Sequence, residues 1–385
     1  MLKVGNDIYY VGASSRNLDL FESHFIVPNG MAYNSYIIMD EKIAIFDGVD
    51  KLVGDEWIKN IKEVLGNRKP DYLIMQHMEP DHSATALKLI ELYPDITVVG
   101  GDMSFVMFSN YFRGVTLKNK LLVHEGDELS LGKHLLKFLS APMVHWPEVF
   151  VTYDETEKAL FSADAFGKFG AFDFEEDWAC EARRYYFGIV GKYGLQVQML
   201  LKKLAGKELN AIYPLHGPVL KENLSYYLGL YNKWSKYEPE AEGVFIAYTS
   251  VYGHTKEVVE EIAEKLKAKG CPKVSMADLA REDIWECVED CFKYGKIIFA
   301  TTTYNMSIFP HMNELLTALI ERNYQNRRVG FVQNGSWAPV SGKLMKEKLS
   351  VCKNIEFVEP MVQLVSSKSK ANEAEIDALV EAMLK

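Results

Sequence analysis

The sequence predicts a protein of two domains: an α+β domain in which two sheets pack face to face, then an α/β domain with a doubly wound, five-stranded parallel sheet. Three observations predict this arrangement. The chain has 385 residues, more than a single core usually serves. Residues up to about 240 contain many short strands and few long helices, whereas strands and helices alternate regularly after residue 243. The segment 238–243 between these regions is acidic and contains proline and glycine, which is typical of a linker. We therefore predict domains at 1–240 and 243–385.

The composition excludes several classes of protein. The net charge of −10 does not suit a nucleic-acid-binding surface, and no basic, aromatic-rich stretch offsets it. No apolar run approaches the roughly 20 residues that cross a bilayer, and no secretion signal is recognisable at the N-terminus. The five cysteines form no Cys-x-x-Cys pair, so no zinc-ribbon or rubredoxin module is expected. We expect a cytoplasmic protein that binds neither nucleic acid nor a membrane.

The first domain is predicted from short runs rich in β-branched and aromatic residues. Helical periodicity separates some of these runs. The predicted strands are 35–39, 42–47, 72–76, 97–100, 121–124, 134–141, 149–153, 159–162 and 211–214, and the predicted helices are 55–65, 83–93 and 193–205.

The second domain is predicted from strict alternation of strands and helices, which indicates parallel strands with helices on both faces. The predicted strands are 244–248, 274–276, 296–301, 328–333 and 355–358, with 360–364 as a further candidate for the last position. The predicted helices are 255–269, 283–292, 311–321, 342–352 and 371–384.

Four potential metal ligands follow the predicted strand 72–76 within six residues: His77, Glu79, Asp81 and His82. The first three alternate, so an extended backbone would direct all three to one side. Imidazole suits iron or zinc, and carboxylates can bridge two cations. The alternative is a polar turn in which Asp81 caps a helix that begins at Ser83.

Three more polar residues follow other predicted strands of this domain, namely His145, Asp164 and His216. Any one of them alone is more often a hydrogen-bonded structural residue. Polar residues at the ends of several strands can, however, assemble one site from distant segments. With the first four they number seven, which is enough for two metal ions.

Three loops of the second domain follow strands at the edge where open α/β sheets bind ligands. The first combines hydroxyl groups with the N-terminus of a helix, which favours a phosphate, and Gly253 permits a tight turn. A helix cap without a ligand is the alternative. This set resembles flavodoxin, which implies that the first loop holds the FMN phosphate and the other two flank the flavin ring. The three loops are Thr249, Ser250, Val251, Tyr252, Gly253, His254 and Thr255; then Thr301, Thr302, Thr303, Tyr304 and Asn305; then Asn334, Gly335, Ser336 and Trp337.

The order His-x-Glu-x-Asp-His, then His, Asp and His, resembles the metallo-β-lactamase fold, an αββα sandwich. Hydrolases of that fold usually carry histidine where this chain has Glu79, and a carboxylate there shifts the preference toward iron or manganese. A lactamase-like domain followed by a flavodoxin-like domain resembles the flavodiiron proteins over essentially the whole chain. The resemblance implies FMN and two non-haem irons. It assigns His77, Glu79 and His145 to one iron, Asp81, His82 and His216 to the other, and Asp164 to both.

The resemblance also implies features outside the ligand set. Trp146, His24 and Tyr193 are candidates for positions around the irons, and His24 or Tyr193 could supply protons. His124 and His134 match nothing, and we expect them to be structural. A head-to-tail homodimer, or a dimer of dimers, would bring the FMN of one subunit to the irons of the other. Rubredoxin, another redox carrier or a reduced deazaflavin could donate electrons, with Lys343, Lys346 and Lys348 as weak candidates for a docking patch.

The predicted function is the reduction of O₂ to water, of NO to N₂O, or of both, with electrons relayed through FMN. Two alternatives belong to other classes. One is a zinc hydrolase of the lactamase fold with an FMN sensor domain, against which Glu79 counts. The other is an electron-transfer protein whose first domain is a degenerate scaffold, against which the complete set of seven ligand types counts.

Overall fold

The computed structural model describes residues 2–385, which form two compact units. The first unit comprises the chain up to Tyr186 together with Leu195–Asn232, and the second comprises Phe187–Gly194 together with Lys233–Lys385. The predicted domain limits of 240 and 243 stay a prediction. Within residues 2–385, no helix has both the length and the apolar character of a membrane-spanning segment.

Two sheets form the centre of the first unit. The seven-stranded sheet has the order Leu2–Lys3, Ile8–Tyr10, Tyr36–Met39, Ile43–Phe46, Tyr72–Ile74, Thr97–Gly100 and Asn119–Leu122. The five-stranded sheet has the order Glu128–Ser130, Leu135–Ser140, Phe150–Asp154, Ala159–Phe161 and Ala211–Tyr213. Apolar side chains of both sheets share one core, in which the rings of Phe46 and Phe161 stack with centroids 3.9 Å apart. The two packed sheets confirm the predicted α+β sandwich.

The remaining elements of this part of the chain include several that the sequence analysis missed. Two small antiparallel pairs, Ala13–Ser15 with Met31–Tyr33 and Leu20–Phe21 with Phe25–Ile26, are too short to produce a periodic pattern. The single helix predicted at 83–93 is two helices, because the first turn already begins at Pro80. The helices are Gly54–Leu65, Pro80–Ser83, Ala86–Leu92, Asp102–Tyr111, Trp178–Tyr185, Gly194–Leu204 and Leu224–Ser235, with short helical turns at Lys51–Val53, Tyr186–Val190 and Gly191–Tyr193.

The second unit is built on a sheet of five parallel strands in the order Val274–Asp278, Ala241–Tyr248, Tyr294–Tyr304, Gln325–Asn334 and Lys353–Phe357. Val362–Leu364 also pairs in parallel with the fourth strand of this order, and Ser307–Ile308 folds back on the third. The order confirms the predicted doubly wound sheet. The helices are His254–Ala268, Ile284–Lys293, Pro310–Glu321, Ser341–Leu349 and Lys370–Leu384, and the first and last of these bury their apolar faces against one side of the sheet.

Residues 187–194 pack into the second unit although most of that unit lies far along the chain. The ring of Phe187 stacks on that of Phe292 with centroids 4.0 Å apart and planes inclined by 7°. The guanidinium of Arg322 donates hydrogen bonds of 3.0 and 3.1 Å to the carbonyl oxygen of Gly188. Tyr237 donates one of 2.8 Å to the carbonyl of Gly191. These contacts make the segment part of the unit's packed interior.

Candidate metal centre and flavin cradle

The seven predicted metal ligands meet at one end of the two sheets of the first unit. His77, His145, Asp164 and His216 each lie in a loop that follows a strand, and Glu79 lies just beyond His77. Asp81 and His82 lie in the helical turn Pro80–Ser83. The backbone is therefore not extended through Asp81, and Asp81 does not cap a helix that begins at Ser83, because the helical turn begins at Pro80. The helical turn gives Asp81 and His82 a different direction from His77 and Glu79, so the motif divides into two pairs.

One group of ligand atoms comes from His77, Glu79, His145 and Asp164. Nε2 of His77 lies 3.2 Å from Oε2 of Glu79 and 3.2 Å from Oδ2 of Asp164. Nε2 of His145 lies 3.0 Å from each of the same two oxygens. Four ligand atoms therefore converge on a single point.

The second group comes from Asp81, His82 and His216. Nε2 of His82 and Nε2 of His216 are 3.1 Å apart, and they lie 3.2 and 3.3 Å from Oδ2 of Asp81. Oδ1 of Asp164 lies 3.3 Å from Nε2 of His82 and 3.6 Å from Nε2 of His216. One oxygen of Asp164 thus faces each group.

These spacings fit metal coordination. Ligand atoms about 2.0–2.2 Å from a common ion lie about 3–3.5 Å from one another. Both carboxylate oxygens of Asp81 and Oδ1 of Asp164 are buried, and none of the three has a hydrogen-bond partner among residues 2–385. Buried oxygens without partners are unfavourable unless a cation compensates them. The cluster could therefore hold two metal ions that share Asp164.

The pKa shifts of the cluster residues also fit a metal-binding site. Burial alone lowers the pKa of a histidine, but contacts with Asp164 and Glu79 raise the pKa of His145 to about 9. Burial would raise the pKa of Asp164, yet the facing imidazoles hold it well below its usual range. Protons on the imidazoles thus balance the buried carboxylates. A metal ion must displace those protons in order to bind.

Two buried carboxylates that the sequence analysis missed orient the ligands. Oε1 of Glu148 accepts hydrogen bonds of 2.8 Å from Nδ1 of His77 and 2.8 Å from the backbone N–H of Met78. Asp47 accepts the backbone N–H groups of Gln76 and His77 at 2.7 and 3.1 Å, and its burial raises its pKa to about 6. Because Glu148 takes Nδ1 of His77, Nε2 is left for a metal. Asp47 directly follows a strand, which is the signal that identified Asp164.

Aromatic rings surround the imidazoles. The rings of Phe21, Tyr33 and Tyr185 lie 5.5, 5.9 and 5.5 Å from that of His216, measured between centroids. Nδ1 of His216 also donates a 2.7 Å hydrogen bond to the carbonyl of Ala32. Trp146, an expected neighbour, meets the ring of His77 edge to face at 5.3 Å. Packing and hydrogen bonding together fix the orientation of His216 and His77.

The backbone beside three of these side chains is in the left-handed region. Met143, Asp47 and Ala163 have φ angles of 63°, 51° and 49°, respectively. Non-glycine residues reach this conformation only when the surrounding structure compensates them, at about 1 kcal/mol or more each. Such residues concentrate where a backbone is shaped for a site. Met143 precedes His145 by two positions, and Ala163 directly precedes Asp164.

The predicted flavin loops of the second unit surround a cavity of about 590 Å³. The hydroxyl of Ser250 accepts the N–H groups of Gly253 and Lys256 at 3.2 Å each, at the start of the helix His254–Ala268. Asn334 donates to the hydroxyl of Thr255 and to the carbonyl of Ser366, while its Oδ1 is buried and accepts no hydrogen bond within residues 2–385. A helix N-terminus suits a phosphate. The free amide oxygen can accept an N–H of a heterocycle. The cradle therefore fits FMN.

Most predicted cradle residues line the cavity, and three lie behind it or within a turn. Thr249 and Thr301 are buried and share a 2.6 Å hydrogen bond between their hydroxyls. Gly253 has φ 97° at the turn into the helix. The lining also includes Met306, Ala338 and Ser366, which the sequence analysis missed. The predicted residues that line it are Ser250, Val251, Tyr252, His254, Thr255, Thr302, Thr303, Tyr304, Asn305, Asn334, Gly335, Ser336 and Trp337.

The histidines and tyrosine expected outside the ligand set have varied surroundings. His24 is exposed, at the tip of the pair Leu20–Phe21 and Phe25–Ile26. Tyr193 lies in the turn Gly191–Tyr193, which belongs to the second unit. His134 is buried and its Nδ1 lies 2.6 Å from Oδ2 of Asp154, so it has a structural partner. His124 is exposed near Asp102 and Asp127.

The comparisons with known proteins match this arrangement. Residues 31–217 match the family model described as ODP family beta lactamase, and residues 245–358 match a flavodoxin domain. The chain is 28% identical to a nitric oxide reductase of Moorella thermoacetica, over 93% of this chain and 91% of the relative. It is 27% identical to a rubredoxin-oxygen oxidoreductase of Megalodesulfovibrio gigas, over 90% of this chain and 89% of the relative.

A solved structure shows the same architecture from end to end. The rubredoxin oxygen:oxidoreductase of Desulfovibrio gigas superposes with a TM-score of 0.92 at 25% identity, covering 99% of this chain and 97% of that one. The fold and the two sites define the class: a metal-binding domain of the β-lactamase fold joined to a flavodoxin domain. The chain belongs to the flavodiiron family of oxidoreductases. Membership implies FMN and a non-haem diiron centre, and the side chains present fit both.

Proposed function

We propose that this protein reduces O₂ to water, NO to N₂O, or both, at two irons that receive electrons through FMN. One observation carries the proposal. Asp164 directs Oδ2 to the group of His77 and His145, and Oδ1 to the group of His82 and His216. A carboxylate shared in this way suits two cations held close together. A small substrate could contact both.

In this proposal His77, Glu79 and His145 bind one iron, and Asp81, His82 and His216 bind the other. Glu79 favours iron over zinc, because a carboxylate is a harder ligand than a third imidazole. His82 has the weakest support, since its buried Nδ1 has no hydrogen-bond partner among residues 2–385. We expect the second iron to be the more easily lost.

FMN, when bound, supplies single-electron and two-electron redox chemistry. The chain's part is to hold it, with the hydroxyls of Ser250 and Thr255 and the N-terminus of the helix His254–Ala268 at the phosphate. Asn334 would meet the ring. Two irons and one flavin store four electrons, the number needed to reduce O₂ fully to water, and coupling two NO molecules needs two.

A complete catalytic assembly is proposed to be a head-to-tail homodimer, or a dimer of such dimers, in which FMN of one subunit faces the irons of the other. The relative from Megalodesulfovibrio gigas is named for rubredoxin, and we propose rubredoxin, another redox carrier or a reduced deazaflavin as donor. Lys346 and Lys348 are less available for docking than expected, because they pair with Glu359 and Asn313 at 2.7 and 2.6 Å. Dilution to monomers should stop FMN-to-iron transfer while both cofactors remain bound.

The cytoplasm is the proposed location. None of the five cysteines forms a disulfide within residues 2–385, as expected in a reducing compartment.

The first test is the iron and zinc content per chain of protein purified without air or added metal. Two irons per chain, with O₂ or NO consumption driven by a reduced carrier, is the expected result. Two zincs that persist after reconstitution with ferrous iron, together with ester or thioester hydrolysis, would favour the zinc hydrolase instead.

A further inference from the structure

A row of tyrosine and tryptophan rings leads from the metal cluster to the surface of the first unit. The rings belong to the helices Trp178–Tyr185 and Leu224–Ser235 and to the first residue of the helical turn Tyr186–Val190, all within that unit. We call this set the aromatic row. From the cluster outward, its members are Tyr185, Tyr186, Tyr231, Trp178, Tyr227 and Tyr226.

The inner end of the aromatic row contacts the segments that carry two of the metal ligands. The ring of Tyr185 lies 5.5 Å from the imidazole of His216, measured between centroids. The hydroxyl of Tyr231 accepts a 2.5 Å hydrogen bond from the backbone N–H of Phe166, two residues beyond Asp164. Ring contacts, hydrogen bonds and covalent bonds all allow an electron to pass between neighbouring groups. An electron therefore has two short routes between the aromatic row and the cluster.

The middle of the aromatic row joins these two routes. Tyr186 is bonded to Tyr185 through the backbone, and its ring lies 5.1 Å from that of Tyr231. The ring of Trp178 lies 6.4 Å from that of Tyr231 and meets that of Tyr227 edge to face at 4.6 Å. Both routes therefore meet at Tyr231 and continue through Trp178.

The outer end of the aromatic row reaches water. The rings of Tyr227 and Tyr226 lie 5.5 Å apart, and Tyr227 is partly buried. Tyr226 is 49% exposed, so it can react with molecules in solution. The row is therefore a continuous series of ring contacts, backbone bonds and hydrogen bonds between the ligand-bearing segments and the solvent.

Packing alone does not require these residue types. Phenylalanine fills nearly the same volume as tyrosine, and burial of a phenolic hydroxyl costs free energy that a hydrogen bond must offset. Tyr186 and Tyr231 are nevertheless fully buried. Phenol and indole rings lose a single electron far more readily than the ring of phenylalanine does. Every member of the aromatic row is of this oxidisable kind.

We propose that the aromatic row delivers single electrons from a small thiol in solution to the metal cluster when reduced FMN is lacking. This role rests on the proposed function. Reducing O₂ to two waters takes four electrons, and two ferrous irons hold two of them. Without reduced FMN the reaction stops short of water, and partly reduced oxygen oxidises the side chains nearest to it. Electrons from the row complete the reduction and protect the ligands.

Each transfer begins at the inner end and is balanced at the outer end. Tyr185 or Tyr231 gives one electron to the cluster, and each oxidised ring regains an electron from the next ring outward. Tyr226 is oxidised last, and its hydroxyl proton passes to water. The S–H bond of a thiol then breaks, and its hydrogen atom restores the O–H bond of Tyr226. Two thiols thus form one disulfide for the two missing electrons, and small thiols are kept reduced in the proposed compartment.

The test begins with protein that holds ferrous iron and oxidised FMN, so that two electrons are missing when O₂ is added. Freeze-quench electron paramagnetic resonance detects phenoxyl radicals, and a nitroso spin trap followed by peptide mass spectrometry locates them. The wild type should carry the trap on Tyr226. Reduced glutathione should suppress this adduct and should be oxidised to its disulfide in the same experiment.

Two substitutions at the centre of the row separate electron transfer from packing. Trp178→Phe and Trp178→Tyr both shorten the side chain, but only Trp178→Tyr keeps an oxidisable ring. Trp178→Phe should lose the adduct at Tyr226 and should gain oxidation products at Tyr185 or Tyr231. Trp178→Tyr should keep the adduct. Turnover with an excess of reduced carrier should match the wild type in both variants.

A control and a second interruption accompany these variants. Trp57→Phe removes a fully buried indole outside the aromatic row and should leave the adduct at Tyr226 unchanged. Iron and FMN content per chain are measured first in every variant. If Trp178→Phe does not retain iron, Tyr227→Phe interrupts the next contact of the row while keeping a ring of similar size, and it should also lose the adduct.

The possible outcomes separate the two proposals. An adduct that persists at Tyr226 in iron-loaded Trp178→Phe and Tyr227→Phe would overturn the role of the row. Adducts spread equally over tyrosines outside the row would also overturn it, since they would indicate a diffusible oxidant. O₂ consumption by the wild type without any tyrosyl adduct would leave the proposed function standing and refute the relay.

The opposite failure is also distinguishable. A wild type that holds two irons and FMN yet consumes neither O₂ nor NO would refute the proposed function. Hydrogen peroxide added to the ferric protein then tests the relay, because peroxide takes up two electrons that the ferric cluster lacks. An adduct at Tyr226 that is absent from Trp178→Phe would support electron transfer along the row, and its absence from the wild type would refute it.

Discussion

The metal cluster and the flavin cradle are built on opposite electrostatic principles. The cluster gathers seven ionisable side chains, six of them buried and Glu79 partly buried, and their mutual contacts shift several of their pKa values. The cradle is lined by hydroxyls, amides, backbone, aromatic rings, a few apolar side chains and the imidazole of His254, and its described lining contains no Asp, Glu, Lys or Arg. Buried charges need compensation, whereas neutral polar groups lose little when a ligand leaves. The first site should therefore depend strongly on its occupant, and the second only weakly.

The largest expected effect is a loss of turnover when a carboxylate of the metal cluster is removed, with no change at the flavin cradle. Asp164→Ala removes the carboxylate that faces both ligand groups, and Glu79→Ala removes an oxygen that lies 3.2 Å from Nε2 of His77 and 3.0 Å from Nε2 of His145. Each should lower turnover by more than about a thousandfold, because metal ions supply the chemistry at the site, while the FMN absorbance stays unchanged. Full activity in either variant would show that the cluster is not the reaction centre.

A smaller effect is expected one contact away from the metal. Glu148→Ala should lower iron affinity by about 10–100-fold, because partners that orient a ligating histidine typically contribute that much. The measurement is iron retention against a chelator. Glu155→Ala is the control, since this glutamate is on the surface, where it pairs with Lys207 at 3.3 Å. Equal iron loss in both variants would argue that Glu148 does not position His77.

A substitution in the flavin cradle should have a smaller effect, on FMN affinity, and should not change the iron content. Asn334→Ala removes the free amide oxygen and the hydrogen bonds to Thr255 and Ser366. A hydrogen bond contributes about 0.5–1.5 kcal/mol, so the dissociation constant of FMN should rise by about tenfold. Fluorescence titration of the FMN-free protein measures it. An accompanying loss of iron would contradict the independence of the two sites.

The smallest expected effect concerns a buried ion pair outside both sites. Burial lowers the pKa of His134, but its hydrogen bond to Asp154 and the charges of Asp154 and Asp40 raise it overall. A raised pKa in the folded state gives stability that is full below the unfolded value of about 6.5. That stability is lost as the pH rises through the folded value.

The pair can be tested by unfolding His134→Gln at several pH values. The variant should unfold with about 1.5–3 kcal/mol less free energy in mildly acidic buffer, and the deficit should shrink as the pH rises. Denaturant titration of the metal-loaded protein measures it. A deficit that grows with pH would show that His134 is neutral in the folded state.

The sequence predicted the site better where ligands follow strands than where they follow turns. His145, Asp164 and His216 were found because they occur just after apolar runs, and the two-sheet order brings those strand ends together. Asp47 carries the same signal but was overlooked because no ligand pattern included it. Glu148 and Ser366 act through contacts with distant residues, which no local pattern reveals.

The hairpin of Leu20–Phe21 and Phe25–Ile26 was missed for a different physical reason. Its strands have only two residues each, too short for periodicity to detect. His24, in the turn of this hairpin, was named only because of the family resemblance. Similarly, the alternation of His77, Glu79 and Asp81 favoured an extended backbone, but Pro80 can begin a helical turn as readily as it can interrupt a strand.

Residues 187–194 belong to the second unit. The flavin-binding unit is therefore not contained in one continuous C-terminal segment of the chain. A gene segment that began at residue 243 would encode all five strands of the parallel sheet. It would lack only Ala241 and Glu242 from the strand Ala241–Tyr248. The segment would lack Phe187, whose ring stacks on Phe292, and Gly188, whose carbonyl accepts hydrogen bonds from Arg322. It would also lack Tyr237, which donates a hydrogen bond to Gly191. Recombination that exchanged flavodoxin domains at the linker would leave such a gap each time. The two parts of this chain are therefore constrained to be inherited together.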